Sequence, residues 1–122
     1  MKAKPQILIV EDEAIVALLI EEHLIDLSYE VVGIASTVAT ALAVIQTGPR
    51  LDGVLLDVWL RDGQTFTVAD ELLARHVPFA FMTGYGAGLI RDRRFETVPV
   101  LAKPFKLTEL DMLLSQLLQR VD

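Results

Sequence analysis

Gly53-Val54-Leu55-Leu56-Asp57-Val58-Trp59-Leu60-Arg61-Asp62-Gly63 begins with four residues that carry no polar side chain and then meets an acid at position 57. A short, apolar, partly β-branched run of this kind reads as a strand buried on both faces, as in a parallel sheet. Arg61-Asp62-Gly63 reads as a turn. Outward from this stretch the same alternation repeats in both directions. Toward the N-terminus, Ile7-Leu8-Ile9-Val10 is a first strand. A helix over Ala14 to Leu27 follows it, with Ile15, Leu18, Leu19, Leu24 and Ile25 at helical spacing beside Glu21, Glu22 and Asp26. Val31 to Ala35 forms a second strand. Ser36 then caps a helix from about Thr37 to Gln46, which Gly48-Pro49 ends. Toward the C-terminus come a helix over about Thr67 to Ala74, a fourth strand at Phe79-Ala80-Phe81-Met82, and a fifth entered through Val98-Pro99-Val100-Leu101. Leu107 to Arg120 closes the chain as a helix, with Leu110, Leu113, Leu114, Leu117 and Leu118 on one face.

Strands alternating with helices specify a parallel sheet with right-handed crossovers. Five such units fit an α/β, flavodoxin-like, doubly wound architecture with strand order 2-1-3-4-5, in which ligands sit at the carboxyl ends of the strands. The connection between the fourth and fifth strands is the exception. Gly84-Tyr85-Gly86-Ala87-Gly88 is rich in glycine, and only Leu89 and Ile90 offer apolar surface before Arg91-Asp92-Arg93-Arg94. A fourth helix there is expected to be weak or partly disordered. Arg91 to Arg94 read as a solvated loop.

The 122 residues suit one domain spanning 1–122, and an apolar fraction of 52% is enough for a core. A net charge of −6 argues against nucleic acid and against an anionic membrane surface as partners. There is no cysteine, which excludes disulfides and thiolate metal sites. The apolar run Ile7 to Val10 is too short for a signal peptide or a membrane span. A soluble, cytoplasmic domain is expected, either a monomer or a weak homodimer.

The polar residues that end the strands are predicted to converge. They are Glu11 and Asp12, then Asp57, then Thr83, then Lys103. Crowded carboxylates repel, by roughly 4 kcal/mol for a pair about 4 Å apart at an effective dielectric of about 20. Lys103 supplies one compensating charge, and a hard divalent ion with oxygen ligands, Mg²⁺, supplies the rest. Such a site invites a phosphoryl group: the cations neutralise its oxygens, a hydroxyl donates to one of them, and a carboxylate attacks phosphorus in line. Singly, each residue has an ordinary explanation as a turn, a helix cap or a strand end. Their conjunction, in order and each at a strand end, does not.

Over its whole length the chain resembles the receiver domains of response regulators. Ile7-Leu8-Ile9-Val10-Glu11-Asp12-Glu13 is similar to the family's first strand and acidic pair, Leu55-Leu56-Asp57-Val58-Trp59-Leu60 to its phosphoacceptor segment, and Lys103-Pro104-Phe105 to its lysine motif. The resemblance implies that Asp57 is the phosphoacceptor, that Asp12 binds Mg²⁺ directly, that Glu11 assists through water, and that the Trp59 backbone carbonyl is a further metal contact. It implies that Thr83 and Lys103 hold the phosphoryl group, that the Lys103-Pro104 bond is cis, and that the donor is a sensor histidine kinase or histidine phosphotransfer protein. Many receivers carry an aromatic switch three residues before the lysine, where this chain has Val100. Phe81-Met82-Thr83-Gly84-Tyr85 resembles the signature of the FATGUY subgroup, mostly single-domain receivers that also lack that aromatic and have a weakened fourth helix. Tyr85 is the candidate replacement for the switch. Trp59 and Tyr85, both bulky, are expected to flank the phosphoryl site and hinder attacking water.

Three rival classes fit the residues less well. A phosphatase of the haloacid dehalogenase type needs a second acid two residues after the nucleophile, where Trp59 stands. A receiver-like binding module that is never phosphorylated would be expected to lack part of the site set. A flavin or nucleotide carrier needs a glycine-rich phosphate cradle where Glu11-Asp12-Glu13 is acidic. His23 and His76 have no metal-ligating partner at helical spacing and read as structural or solvated.

Overall fold

A computed structural model of the chain describes residues 3–84 and 92–118. In chain order the elements are β1 (Gln6–Val10), α1 (Ala14–Asp26), β2 (Glu30–Ala35), α2 (Val38–Thr47), β3 (Gly53–Asp57), β4 (Trp59–Leu60), β5 (Gly63–Gln64), α3 (Phe66–Ala74), β6 (Phe79–Thr83), a 3₁₀ turn (Arg93–Phe95), β7 (Val100–Ala102) and α4 (Leu107–Leu118). The five main strands form one parallel sheet in the order β2-β1-β3-β6-β7, which is the doubly wound arrangement expected.

The apolar strands follow from burial on both faces. Successive side chains on a strand point to opposite sides, and each side meets helices. Leu8, Val10, Val54, Leu56, Phe79 and Phe81 face Ala41 and Ile45 of α2 and Val68, Ala69 and Leu72 of α3. Ile7, Ile9, Leu55, Ala80 and Met82 face Ala17, Ile20 and Leu24 of α1 and Leu110, Leu113 and Leu114 of α4. Every residue of β3 is buried. Phe95, from the 3₁₀ turn, stacks on Phe66 at 5.7 Å and meets Phe81 edge-on at 5.5 Å.

The structure corrects the reading of several elements. The cap of α2 is Thr37, not Ser36: the Thr40 amide donates to Thr37 Oγ1 at 3.0 Å. Of the five apolar residues read as the face of α1, only Leu24 is buried; Ile15, Leu18, Leu19 and Ile25 are 75, 53, 58 and 54% exposed. The inward face is Ala17, Ile20 and Leu24. Arg94 is more than part of a solvated loop. Its guanidinium bonds Asp92 and Asp70 and lies 4.9 Å from the centre of the Phe95 ring, tying the 3₁₀ turn to α3. It also holds the Asp92 carboxyl at about 2, well below the usual range, first through the side-chain hydrogen bond. The expected weak helix at 85–91 lies outside the described residues, and so does Tyr85. Among the described residues no helix is long and apolar enough to cross a membrane.

Candidate phosphoacceptor site

Parallel strands of one sheet end at one edge, so their terminal residues share a crevice. Val10 pairs with Leu56, Asp57 with Met82, and Thr83 with Ala102. That register brings Glu11 and Asp12, Asp57, Thr83 and Lys103 together. Glu11 and Asp57 are 1 and 7% exposed, unusual burial for acids, and Thr83 is buried beside them. Asp57 and Thr83 line an open cleft together with Asp12, Glu13, Trp59, Gly84 and Lys103.

Lys103 organises the charges. Its Nζ donates to Glu11 Oε1 at 2.6 Å and to Asp57 Oδ2 at 2.9 Å, and it lies 3.7 Å from the more exposed Glu13. The Lys103 amide donates to the Thr83 carbonyl at 2.8 Å, fixing the two strand ends together. The Lys103-Pro104 peptide is cis, as expected. Burial drives the Glu11 carboxyl above its ordinary value, opposed by the hydrogen bonds from Lys103 and from the Glu13 amide. Burial pulls the Lys103 ammonium down, but its bonds to Glu11 and Asp57 more than offset this, so it stays firmly protonated.

Ligand oxygens of Glu11, Asp12 and Asp57 lie within 4.8 Å of one another. Three carboxylates face one ammonium, which leaves an excess of negative charge at the cleft. Hard oxygen donors, few of them, beside open space for water and phosphate, fit Mg²⁺. Among the described residues, Asp12 is met by a cation only at 3.9 Å, from the exposed Arg61.

Trp59 is 46% exposed, and its amide lies 3.4 Å from Asp57 Oδ1. It begins β4, which pairs antiparallel with β5 to make a small hairpin across the Arg61-Asp62 turn. Asp62 in that turn accepts from the Val38 amide at the start of α2, at 3.1 Å. Val100, at the place of the missing aromatic, is partly buried against the core on the α2–α3 side of the sheet. His23 bonds Asp111 at 2.5 Å, joining α1 to α4. A residue not anticipated is Thr65. It is fully buried, and its hydroxyl donates to the Asp57 carbonyl at 2.6 Å. A threonine just before a helix is ordinarily taken for a cap, so the residue type alone does not reveal this bond.

Fold and site together define a doubly wound α/β module with an acidic pocket at the carboxyl edge of its sheet. A family model described as the response regulator receiver domain matches residues 7–115, and the chain belongs to that family. It is 44% identical to SdrG from Sphingomonas melonis Fr1, covering 97% of this chain and 99% of that one with a TM-score of 0.81. It is 32% identical over 115 residues to the phyllosphere-induced regulator PhyR of Methylorubrum extorquens, covering 93% of this chain but only 43% of PhyR. The chain thus spans less than half the length of that relative. It is 28% identical to the receiver domain of the sensor histidine kinase PA1611 from Pseudomonas aeruginosa PAO1, with 96 and 99% coverage and a TM-score of 0.82; that structure holds a magnesium ion coordinated in its active-site cleft.

Proposed function

We propose that this domain accepts a phosphoryl group on Asp57 from a phosphohistidine of a sensor histidine kinase or histidine phosphotransfer protein, in a Mg²⁺-dependent relay in the cytoplasm. The observation that carries this reading is the convergence of Asp57 with Lys103 at 2.9 Å and with the Glu11 and Asp12 carboxylates within 4.8 Å. An Asp57 oxygen attacks phosphorus in line. The P–N bond to the donor imidazole breaks, its electron pair leaves with the imidazole, and an aspartyl phosphate remains. Glu11, Asp12, Asp57 and the Trp59 carbonyl would hold Mg²⁺, which supplies neutralising charge to the phosphoryl oxygens. Lys103 then pairs with one phosphoryl oxygen and the Thr83 hydroxyl donates to another. Apart from its own phosphorylation and dephosphorylation the domain catalyses nothing. Its output is a protein–protein contact or the removal of phosphate from a donor. Tyr85, two residues past Thr83, takes the switch role that Val100 cannot fill.

The donor approaches over α1. The exposed Ile15, Leu18 and Leu19 lie on that helix, and Leu19 with Val16 and Ile20 lines a groove that also reaches Pro104, Phe105 and Leu107. Glu13 and Lys103 border both this groove and the acidic cleft. A contiguous apolar surface beside a reactive group marks a protein contact.

Intact mass after incubation with acetyl phosphate tests the reading. Wild type should gain about 80 Da, one phosphoryl group on one carboxylate, only with Mg²⁺, and Asp57→Asn should gain nothing. A gain that survives in Asp57→Asn would remove Asp57 from the role. No gain in wild type, with Mg²⁺ bound, would favour a receiver-like module that binds without being phosphorylated.

A further inference from the structure

Thr65 stands immediately before α3, at the cap position, yet its side chain makes no capping bond to the helix. A threonine there usually accepts from an amide of the first helical turn. Here the hydroxyl donates backwards, to the Asp57 carbonyl at 2.6 Å, with the Val58 carbonyl also in reach at 3.2 Å. The Thr65 amide donates to the same Val58 carbonyl at 3.0 Å. One fully buried residue therefore grips two consecutive carbonyls at the end of the acceptor strand. The Val58 amide is meanwhile held by the Met82 carbonyl at 3.0 Å. With these partners in place, the peptide planes after Asp57 have little freedom to turn. The far end of the same loop is pinned where Asp62 accepts from the Val38 amide.

From this geometry we infer that Thr65 is a positioning residue for metal binding, an inference that rests on the reading of the acidic cleft given above. Its hydroxyl fixes the Asp57-Val58 backbone. The Asp57 carboxylate and the next carbonyl along, that of Trp59, are thereby presented to one cation. Outer groups that orient ligands matter to affinity even when they never touch the ion, and removing one commonly weakens binding about 10- to 100-fold. Valine matches threonine in shape and lacks the donor, so Thr65→Val isolates the hydroxyl. Serine keeps the donor and loses only a methyl group.

The test is a Mg²⁺ titration of the metal-free protein followed by the fluorescence of Trp59, the one tryptophan in the chain. Amide hydrogen exchange at Trp59 is measured beside it, before any metal is added. Thr65→Val should bind Mg²⁺ at least about tenfold more weakly and exchange the Trp59 amide faster, and Thr65→Ser should restore both to within about twofold. If Thr65→Val does not fold, the comparison of Thr65→Ser with Thr65→Ala reads the same hydroxyl. Mg²⁺ affinity and Trp59 exchange that are the same with and without the hydroxyl would overturn the role of Thr65 and leave the metal site standing. A wild type that binds no Mg²⁺ would overturn the role of Thr65 in metal binding together with the metal site. Unequal Trp59 exchange would then leave Thr65 only its grip on the backbone.

Discussion

Asp12 carries the least compensated charge in the cleft. Lys103 bonds both Glu11 and Asp57, whereas the cation nearest Asp12 among the described residues is Arg61, exposed and 3.9 Å away. Two carboxylates about 5 Å apart repel by roughly 3 kcal/mol at an effective dielectric of about 20, and water at the cleft screens part of that. Asp12→Asn should therefore stabilise the metal-free protein by about 1 kcal/mol. Millimolar Mg²⁺ should raise the urea midpoint of wild type and leave that of the variant nearly unchanged. An unaltered midpoint in Asp12→Asn without metal would mean that the repulsion is already relieved by solvent. Asp12 could be singled out from its place after an apolar run. Thr65 could not, because nothing in its residue type separates a helix cap from a hydroxyl that bonds the preceding strand.

Among the elements, α1 shows where periodicity stops being informative. Ile15, Val16, Leu18, Leu19, Ile20, Leu24 and Ile25 cover much of its circumference, so their spacing gives a helix but not its inward side. Small Ala17 decides it, being the residue that lets the helix approach the sheet beside Ile20 and Leu24. Ile15, Leu18, Leu19 and Ile25 are left exposed. Leu19→Glu should keep the fold and its labelling by acetyl phosphate, while transfer from a phosphorylated histidine phosphotransfer protein falls at least about tenfold, as for an anchor residue in an interface. Equal transfer in wild type and variant would place the donor elsewhere. The β4–β5 hairpin is not legible in the sequence for a different reason: strands of two residues each leave no alternation to read.

For the molecule as a whole, the sheet was legible because burial on both faces makes the central strands β1, β3 and β6 almost wholly apolar, and the turn residues between the elements are largely polar. The site was legible because strand order then dictates which ends meet. The global stability should carry the mark of that site. Burial lifts Glu11 above its ordinary value of 4.5, so between that value and the raised one the native protein binds more proton there than the unfolded chain does. In the window from that value up to the raised one, stability contributed by this group falls as pH rises. Glu11→Gln should remove this component, seen as a flatter dependence of the urea midpoint on pH across the same window. A variant with the wild-type slope would assign the decline to other groups.

The order of the sheet also implies an order of assembly. β2, β1 and β3 are neighbours both in space and along the chain, so the segment up to Asp57 can condense as a block through two short crossovers. β6 and β7 then add in turn to one edge of it. Glu11, Asp12 and Asp57 belong to the early block, and Thr83 and Lys103 to the late additions. In such an order the carboxylates gather before their counter-charge arrives. Docking of β7 brings in Lys103, which offsets part of that repulsion by bonding Glu11 and Asp57 and leaves Asp12 to a further cation.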